Sequence, residues 1–407
     1  MLNHEKLFAA ALQINEPMYV KNIEFDQDNG ELHIYIDFKK GAKFTCPICG
    51  LEDLDVHDTD EKTWRHLNFF QYKAYLHCRT PRTKCPKDGV HLTTPAWAAP
   101  GSGFTLLFEA FVLQLTMYMP VLKVAVLLNE HDTLLWRIVR RYVDQARKEA
   151  DYSGIKDIGV DETSSKKHHS YVTLFVDIEK SRVVHVAKGK DASTISSFKE
   201  MLENRDIPVK QIKNICADMS PAFRSGIQKY FPEAELTYDK FHVIKLMNEA
   251  LDKVRRSEQS YQNVLKNSRY VWLHNPKNLT VKQSKTLENL SCMNLKTGRA
   301  YRIKLSLQDI YNNVSGKDNA YILLKKWYGW AFRSRLEPVR EFARTVKNNW
   351  AGIINYFDTN LTNGVLEGMN SIVQLARNRA RGYRNVDTFI TMIYLLGGKL
   401  NLGVQRV

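Results

Sequence analysis

The sequence predicts an α/β protein in which two small N-terminal modules precede a strand-and-helix core, itself interrupted by a mainly helical insertion. Three observations carry this reading. Four of the six cysteines lie between Cys46 and Cys85, helical apolar periodicity runs from Gly103 to Ala150, and short apolar runs ending in acids begin at Ile158. With 407 residues, 44% of them hydrophobic, the chain can bury several cores without disulfide staples.

Charge narrows the partner. Lysine and arginine number 59 against 44 acids, a formal +15, which favours a polyanion, and nucleic acid is the default. The most apolar stretch, Phe104 to Leu128, is broken by Glu109, Gln114, Pro120 and Lys123, so no membrane span or signal peptide is expected and the protein reads as soluble and intracellular. Cysteines so grouped suit a metal in a reducing compartment.

In chain order, residues 1–100 read as a hairpin and a zinc-binding module. Leu32, Ile34, Ile36 and Phe38 alternate with polar residues after an Asp28-Asn29-Gly30 turn, which is strand periodicity with hairpin chemistry. The Cys46-Pro-Ile-Cys49-Gly50 knuckle lets two thiolates face one ion. Cys85 follows with either His91 or Asp88 beside it, and His77 and Cys78 lie just upstream. Small buried thiols are the bland alternative.

Residues 101–152 read as a helix-turn-helix domain: an apolar helix from Leu106, a second from Pro120 to Leu128, and a third capped at His131-Asp132-Thr133. The third carries Arg137, Arg140, Arg141 and Arg147 beside an apolar stripe, so one face packs while the other meets phosphates or base edges.

Residues 153–254 read as the first part of a catalytic core. Strands are expected at Ile158–Glu162, Tyr171–Val176 and Arg182–Ala187, a helix from Asp191 to about Asn204, and a fourth strand ending at Asp218. Three antiparallel strands, a helix, a fourth strand, then helix and strand is the order of a ribonuclease H-like fold. Asp161 would close the first strand and Asp218 the fourth; alternation leaves only one of Asp161 and Glu162 facing a site, and Asp161 is the choice. Asp218 could instead cap the helix that follows.

Residues 255–350 read as the helical insertion, with Trp272, Trp327, Trp330, Phe332, Tyr321 and Tyr328 among Lys325, Lys326, Arg333, Arg335 and Arg340. Most of these aromatics are expected in a core; exposed ones could stack on unpaired bases. Residues 351–407 complete the core. There Glu367 opens a helix with Leu366, Met369, Ile372, Val373 and Ala376 on one face, followed by Arg377, Arg379, Arg381 and Arg384. Glu367 is either a dipole-favoured helix-start acid or a metal ligand facing a phosphate backbone, which needs further carboxylates.

The ordered set Cys-Pro-Ile-Cys-Gly, Arg-Thr-Pro-Arg-Thr-Lys-Cys-Pro, helix-turn-helix, Ile-Gly-Val-Asp-Glu, Ala-Asp-Met-Ser, Asp239-Lys-Phe-His242-Val and Asn363-Gly-Val-Leu-Glu-Gly-Met-Asn resembles the DDE transposases of the ISL-three family of bacterial insertion sequences. The resemblance implies Asp161, Asp218 and Glu367 as the catalytic triad and as ligands of Mg²⁺ or Mn²⁺, with Asn385 also matching the pattern. Cys46, Cys49, Cys85 and His91 are then the expected zinc ligands; relatives commonly show Cys-Pro-x-His-Gly-Val, and Asp88 stands where their histidine falls. Seven places beyond Glu367 relatives often carry a base, whereas Gln374 stands here, which shifts the phosphate-neutralising task to Arg377. Arg137, Arg140, Arg141, Arg377, Arg381 and Arg384 are the expected DNA contacts. His242 would lie near the site or be a satisfied structural histidine.

The implied activity is metal-dependent cleavage at terminal inverted repeats followed by strand transfer, with in-line attack at phosphorus. The expected partners are double-stranded DNA and a second copy of the chain, in a bacterial cytoplasm at the nucleoid. Two rivals remain: a non-catalytic zinc and helix-turn-helix regulator, which leaves three acids idle, and a structure-selective nuclease, which has no need of an end reader.

Overall fold

Alternation at the N-terminus gives the first ordered element: Leu32, Ile34, Ile36 and Phe38 are buried on one face of a strand. The computed structural model describes residues 4–166, 170–362 and 364–404. It divides into two compact units, 1–148 with 401–407, and 149–400.

The first unit opens with α1 (His4–Ala11) and the antiparallel pair β1 (Met18–Asp26) and β2 (Glu31–Phe38). Two long strands, β3 (Val56–Phe69) and β4 (Tyr72–Cys85), and the short β5 (Gly89–Leu92) complete the sheet in the order β1-β2-β4-β3, with β5 on β4. Trp64, Leu76, Ile34 and Ile36 fill its core. The helical module follows as α2 (Leu106–Tyr118), α3 (Val121–Leu128) and α4 (Asp132–Glu149). Thr105 caps α2 through its side chain, and Asn129 ends α3 in the left-handed region.

Sheet and helices of this unit are joined by Arg65. Its backbone bonds to Gly103 and Thr105, and its guanidinium, 4% exposed, pairs with Glu130 at 3.2 Å. Glu109, fully buried, ties α2 to α4 by accepting from Tyr142 at 2.8 Å and pairing with Arg141 at 2.5 Å.

In the second unit β6 (Asp157–Lys166), β7 (Ser170–Asp177) and β8 (Arg182–Lys188) form an antiparallel run. After α5 (Ala192–Glu203) comes β9 (Asn214–Ala217), then α6 (Pro221–Tyr230) and β10 (Glu235–Tyr238). The sheet order is β10-β9-β6-β7-β8, with β9 parallel to both neighbours. Its two faces are covered by different helices, and side-chain alternation shows which. Ile158, Val160, Ile215 and Ala217 pack with Phe198 and Phe223 of α5 and α6. The intervening Gly159, Cys216 and Thr237 face the C-terminal part of the chain: Leu366 over Gly159, Leu361 accepting from Cys216, and Thr359 bonded to Thr237.

Between these parts run α7 (Lys240–Gln259), α8 (Arg269–Leu273), α9 (Val281–Ser291), α10 (Lys296–Asn313), α11 (Lys317–Arg333), α12 (Glu337–Asn348) and α13 (Trp350–Thr359). The helical run thus begins before residue 255 and ends after 350. Trp272 and Trp327 are buried in its core, whereas Trp330 and Tyr321 stand about half exposed. The chain closes with α14 (Gly364–Arg379) and α15 (Val386–Gly397); Asn385 caps α15 by accepting from the Asp387 amide. Asn363, where the sequence motif begins, lies outside the described residues.

Two expectations change. Asp161 does not close its strand: β6 continues to Lys166 because β7 continues to pair with it. Ile372, expected on the packed face of α14, is 47% exposed, while Leu366, Met369 and Val373 are buried.

Candidate active site

Strand register sets the first two acids side by side. β6 and β9 pair in parallel as Asp157↔Asn214, Ile158↔Ile215 and Gly159↔Cys216, so continuing that register two residues brings Asp161 opposite Asp218. On the far side β10 pairs Tyr238 with Ala217, and one further step brings Asp239 next to Asp218. Three neighbouring strands therefore deliver three aspartates, on the face that Leu366 and α14 cover. Asp218 accepts from the Ser220 amide at 3.0 Å, steadying the turn into α6, whose cap position is Ser220 itself.

Asp161 is largely buried. Burial pushes its carboxyl above the usual carboxylate range and the charges of Asp218 and Asp239 add to this, while the Glu162 amide and His242 act the other way. Glu162 is raised too, first by burial and then by Asp218. Such a cluster of mutually repelling carboxylates in a low-dielectric pocket favours a cation.

The third expected acid comes from α14. That helix is clamped to β6 along one stripe: Asn370 Nδ2 donates to Asp161 Oδ2 at 2.6 Å, Gln374 donates to the Thr163 hydroxyl, and Arg377 Nη1 donates to Ser164 O at 2.5 Å and Oγ at 3.1 Å. Glu367 sits one turn before Asn370, exposed at the same flank. The three expected ligands do not yet close into a group able to hold an ion; among the described residues only the N-terminal cluster does so. Arg377, expected to neutralise phosphate, is engaged in holding α14 to β6.

Asp239 carried no expected role from sequence. It is fully buried, and its Oδ2 lies 3.2 Å from Nδ1 of His242 in the first turn of α7. That contact, with the charges of Asp161 and Asp218 behind it, raises His242 above the ordinary histidine range against the opposing effect of burial.

The N-terminal cluster comprises Cys46, Cys49, Cys85 and Asp88, whose ligand atoms all lie within 4.8 Å of one another. Cys49 and Cys85 Sγ are 3.6 Å apart, and Asp88 Oδ2 is 3.5 Å from Cys46 Sγ and 3.4 Å from Cys85 Sγ. Gly50, at φ 74°, gives the tight return that a side chain would strain. Three thiolates and one carboxylate are a donor set that fits tetrahedral zinc. The fourth position differs from expectation: His91 stands outside the set, its Nε2 2.6 Å from the Asp88 carbonyl, because β5 pairs His91 with Thr83.

On α4, Arg137, Arg140 and Arg141 are exposed, and Arg141 also holds Glu109. Arg381 and Arg384 are exposed beyond the end of α14, with Arg381 in the left-handed region at φ 56°. No helix among the described residues is long and apolar enough to cross a membrane.

A sheet with adjoining carboxylates at one end, a cysteine-rich knuckle, a three-helix reader and a strong positive charge define a DNA-processing enzyme. Comparison with known proteins gives the family. Residues 158–393 match the ISL3 DDE model described as a transposase, residues 92–143 the helix-turn-helix domain of transposase family ISL3, and residues 42–88 the zinc-finger of the transposases of IS204, IS1001, IS1096 and IS1165. The chain belongs to the ISL3 family of insertion-sequence transposases. It is 26% identical to the transposase for insertion sequence element IS1557 of Mycobacterium tuberculosis, over 97% of this chain and 96% of that protein. It is 29% identical to the transposase for IS1001 of Bordetella parapertussis, over 92% and 94%. The DNA-binding and transposase domains together favour the transposase over a non-catalytic regulator.

Proposed function

We propose that this transposase cuts and joins its element's ends at a ribonuclease H-like centre in which Asp161, Asp218 and Glu367 hold divalent ions, Mg²⁺ or Mn²⁺. One observation carries the reading: Asp161 and Asp218 end up neighbours by strand register, on the sheet face that the Glu367 helix covers. The donor set is all oxygen and the buried acids are short of positive charge, which fits hard divalent cations. Bound there, such ions supply an activated water or 3′-hydroxyl and stabilise the leaving oxygen of an in-line displacement. Asn370 orients Asp161, and Gln374 and Arg377 fix α14 against β6, so Glu367 reaches the pair by side-chain adjustment from a helix already seated.

The zinc-finger match and the cysteine cluster support a structural zinc, with Cys46, Cys49, Cys85 and Asp88 as its ligands in preference to His91. In this reading Arg137 and Arg140 meet the terminal inverted repeats, Arg381 and Arg384 grip the backbone beside the cut, and Arg141 and Arg377 hold those surfaces in shape. A homodimer pairs the two ends, since two ends need two centres.

The test is a labelled duplex carrying the terminal repeat, incubated with Mg²⁺. Wild type is expected to cut and then join. Asp161→Ala is expected to bind with unchanged affinity and do neither.

A further inference from the structure

The buried Asp239 and its partner His242 take no part in the reaction as described so far. Asp239 is 0% exposed, at the tip of β10 next to the strand that delivers Asp218. Its Oδ2 lies 3.2 Å from His242 Nδ1 as an ion-pair contact without the alignment of a hydrogen bond, and that nitrogen is shielded from solvent. Yet the His242 side chain keeps 29% of its exposure. The ring therefore has an inner edge beside a carboxylate and an outer part that reaches solvent, within range of the charges of the acid cluster. A carboxylate beside Nδ1 holds the ring proton on Nδ1, so Nε2 carries a hydrogen and donates outward only in the cationic imidazolium, the form that the Asp239 ion pair and the neighbouring acids favour. Asp161, Asp218 and Asp239 all act on this ring, and His242 acts in turn on Asp161.

We propose that His242, oriented by Asp239, donates from Nε2 to a non-bridging oxygen of the scissile phosphodiester, making it a catalytic residue and Asp239 its positioning residue. This deepens the reading of the Asp161–Asp218–Glu367 centre and rests on it. A phosphodiester entering a pocket of carboxylates meets repulsion from every side except where cations stand. Asp161, Asp218 and Glu367 would hold the divalent ions that offset this repulsion, and an Nε2–H of the His242 imidazolium would serve a phosphate oxygen beside them. Charge that grows on phosphorus oxygens during in-line attack is then met by a donor already in place.

The experiment is a cycle between protein and substrate, run with the full chain and a duplex carrying the terminal repeat. His242→Asn keeps an amide near the Nδ1 position, facing Asp239, and removes the outer donor; His242→Gln carries an amide out to the Nε2 position. Each is assayed with Mg²⁺ on ordinary DNA and on each methylphosphonate diastereomer at the scissile position, which lacks one non-bridging oxygen. His242→Asn is expected to bind end DNA like wild type and to cut about 10²–10³ times more slowly. His242→Gln should recover part of that loss. On one diastereomer the two losses should fail to multiply, the histidine variant losing no more than about threefold from the substitution. Losses that multiply on both diastereomers, or wild-type cutting by His242→Asn, would overturn the proposal. If His242→Asn fails to bind DNA, the same cycle with His242→Gln decides between these results. Asp161→Asn in the same assay separates the two readings: cutting by that variant sinks the carboxylate centre itself, whatever His242 does.

Discussion

At the scale of single residues, the site depends on one missing side chain and one ill-placed charge. A Cβ on Gly159 would stand 2.1 Å from Leu366 Cδ1, so Gly159→Ala wedges α14 away from β6. Overpacking of this kind costs about 1–3 kcal/mol, and cutting should fall with it because Asn370 loses Asp161. Adding Leu366→Ala should lower Tm less than Leu366→Ala does in a Gly159 background, which thermal unfolding reads directly. Asp161 works against the fold. Its carboxyl is raised in the folded state, so folding favours its protonated form; the contribution is stabilising at low pH and is lost as pH rises through the unfolded and then the folded value. Without divalent ions at neutral pH, Asp161→Asn is therefore expected to raise Tm, read by thermal unfolding, while abolishing cutting. A fall in Tm would show that the ionised carboxylate is well accommodated without a cation.

At the scale of elements, the knuckle and the reader owe their shape to buried polar ties. Asp88→Ala should lower bound zinc well below one per chain, while His91→Ala should leave it unchanged; zinc content by mass spectrometry decides, and the reverse pattern would restore His91 as ligand. Glu130→Gln removes the charge beside the buried Arg65 guanidinium. Breaking a buried pair costs about 3–5 kcal/mol, and the lower figure applies because Arg65 also donates to the carbonyls of His66 and Ala74. Unfolding followed by near-ultraviolet dichroism measures it. These ties also mark where sequence was legible. The β2 and α4 patterns could be read because one face is apolar and the other polar. β3 could not: Asp58, Asp60, Glu61 and Lys62 leave its first half without alternation, and it is an edge strand that needs little burial. Spacing alone could not choose between Asp88 and His91, since the choice depends on β5 folding back along β4.

At the scale of the whole molecule, the strand and helix order of residues 158–218 was readable, and so were the three acids as residue types. The approach of two of them, Asp161 and Asp218, was not. That Asp161 and Asp218 are neighbours depends on a parallel pairing that no local pattern encodes, and Asp239 joins them only because β10 adds to β9 in parallel. The net charge of +15 makes a prediction for the full chain. End binding should fall about 10³-fold or more between 50 and 200 mM salt, as 6–10 phosphate contacts require. Fluorescence anisotropy over that range checks it, and a flat response would mean that phosphate contacts contribute little.

The most direct measurement is a time course of wild type and Asp161→Ala on labelled terminal-repeat DNA with Mg²⁺, resolving bound, cut and joined species. A centre built on Asp161, Asp218 and Glu367 predicts cutting and then joining by wild type, with binding alone by the variant. Cutting by Asp161→Ala at the wild-type rate would contradict it.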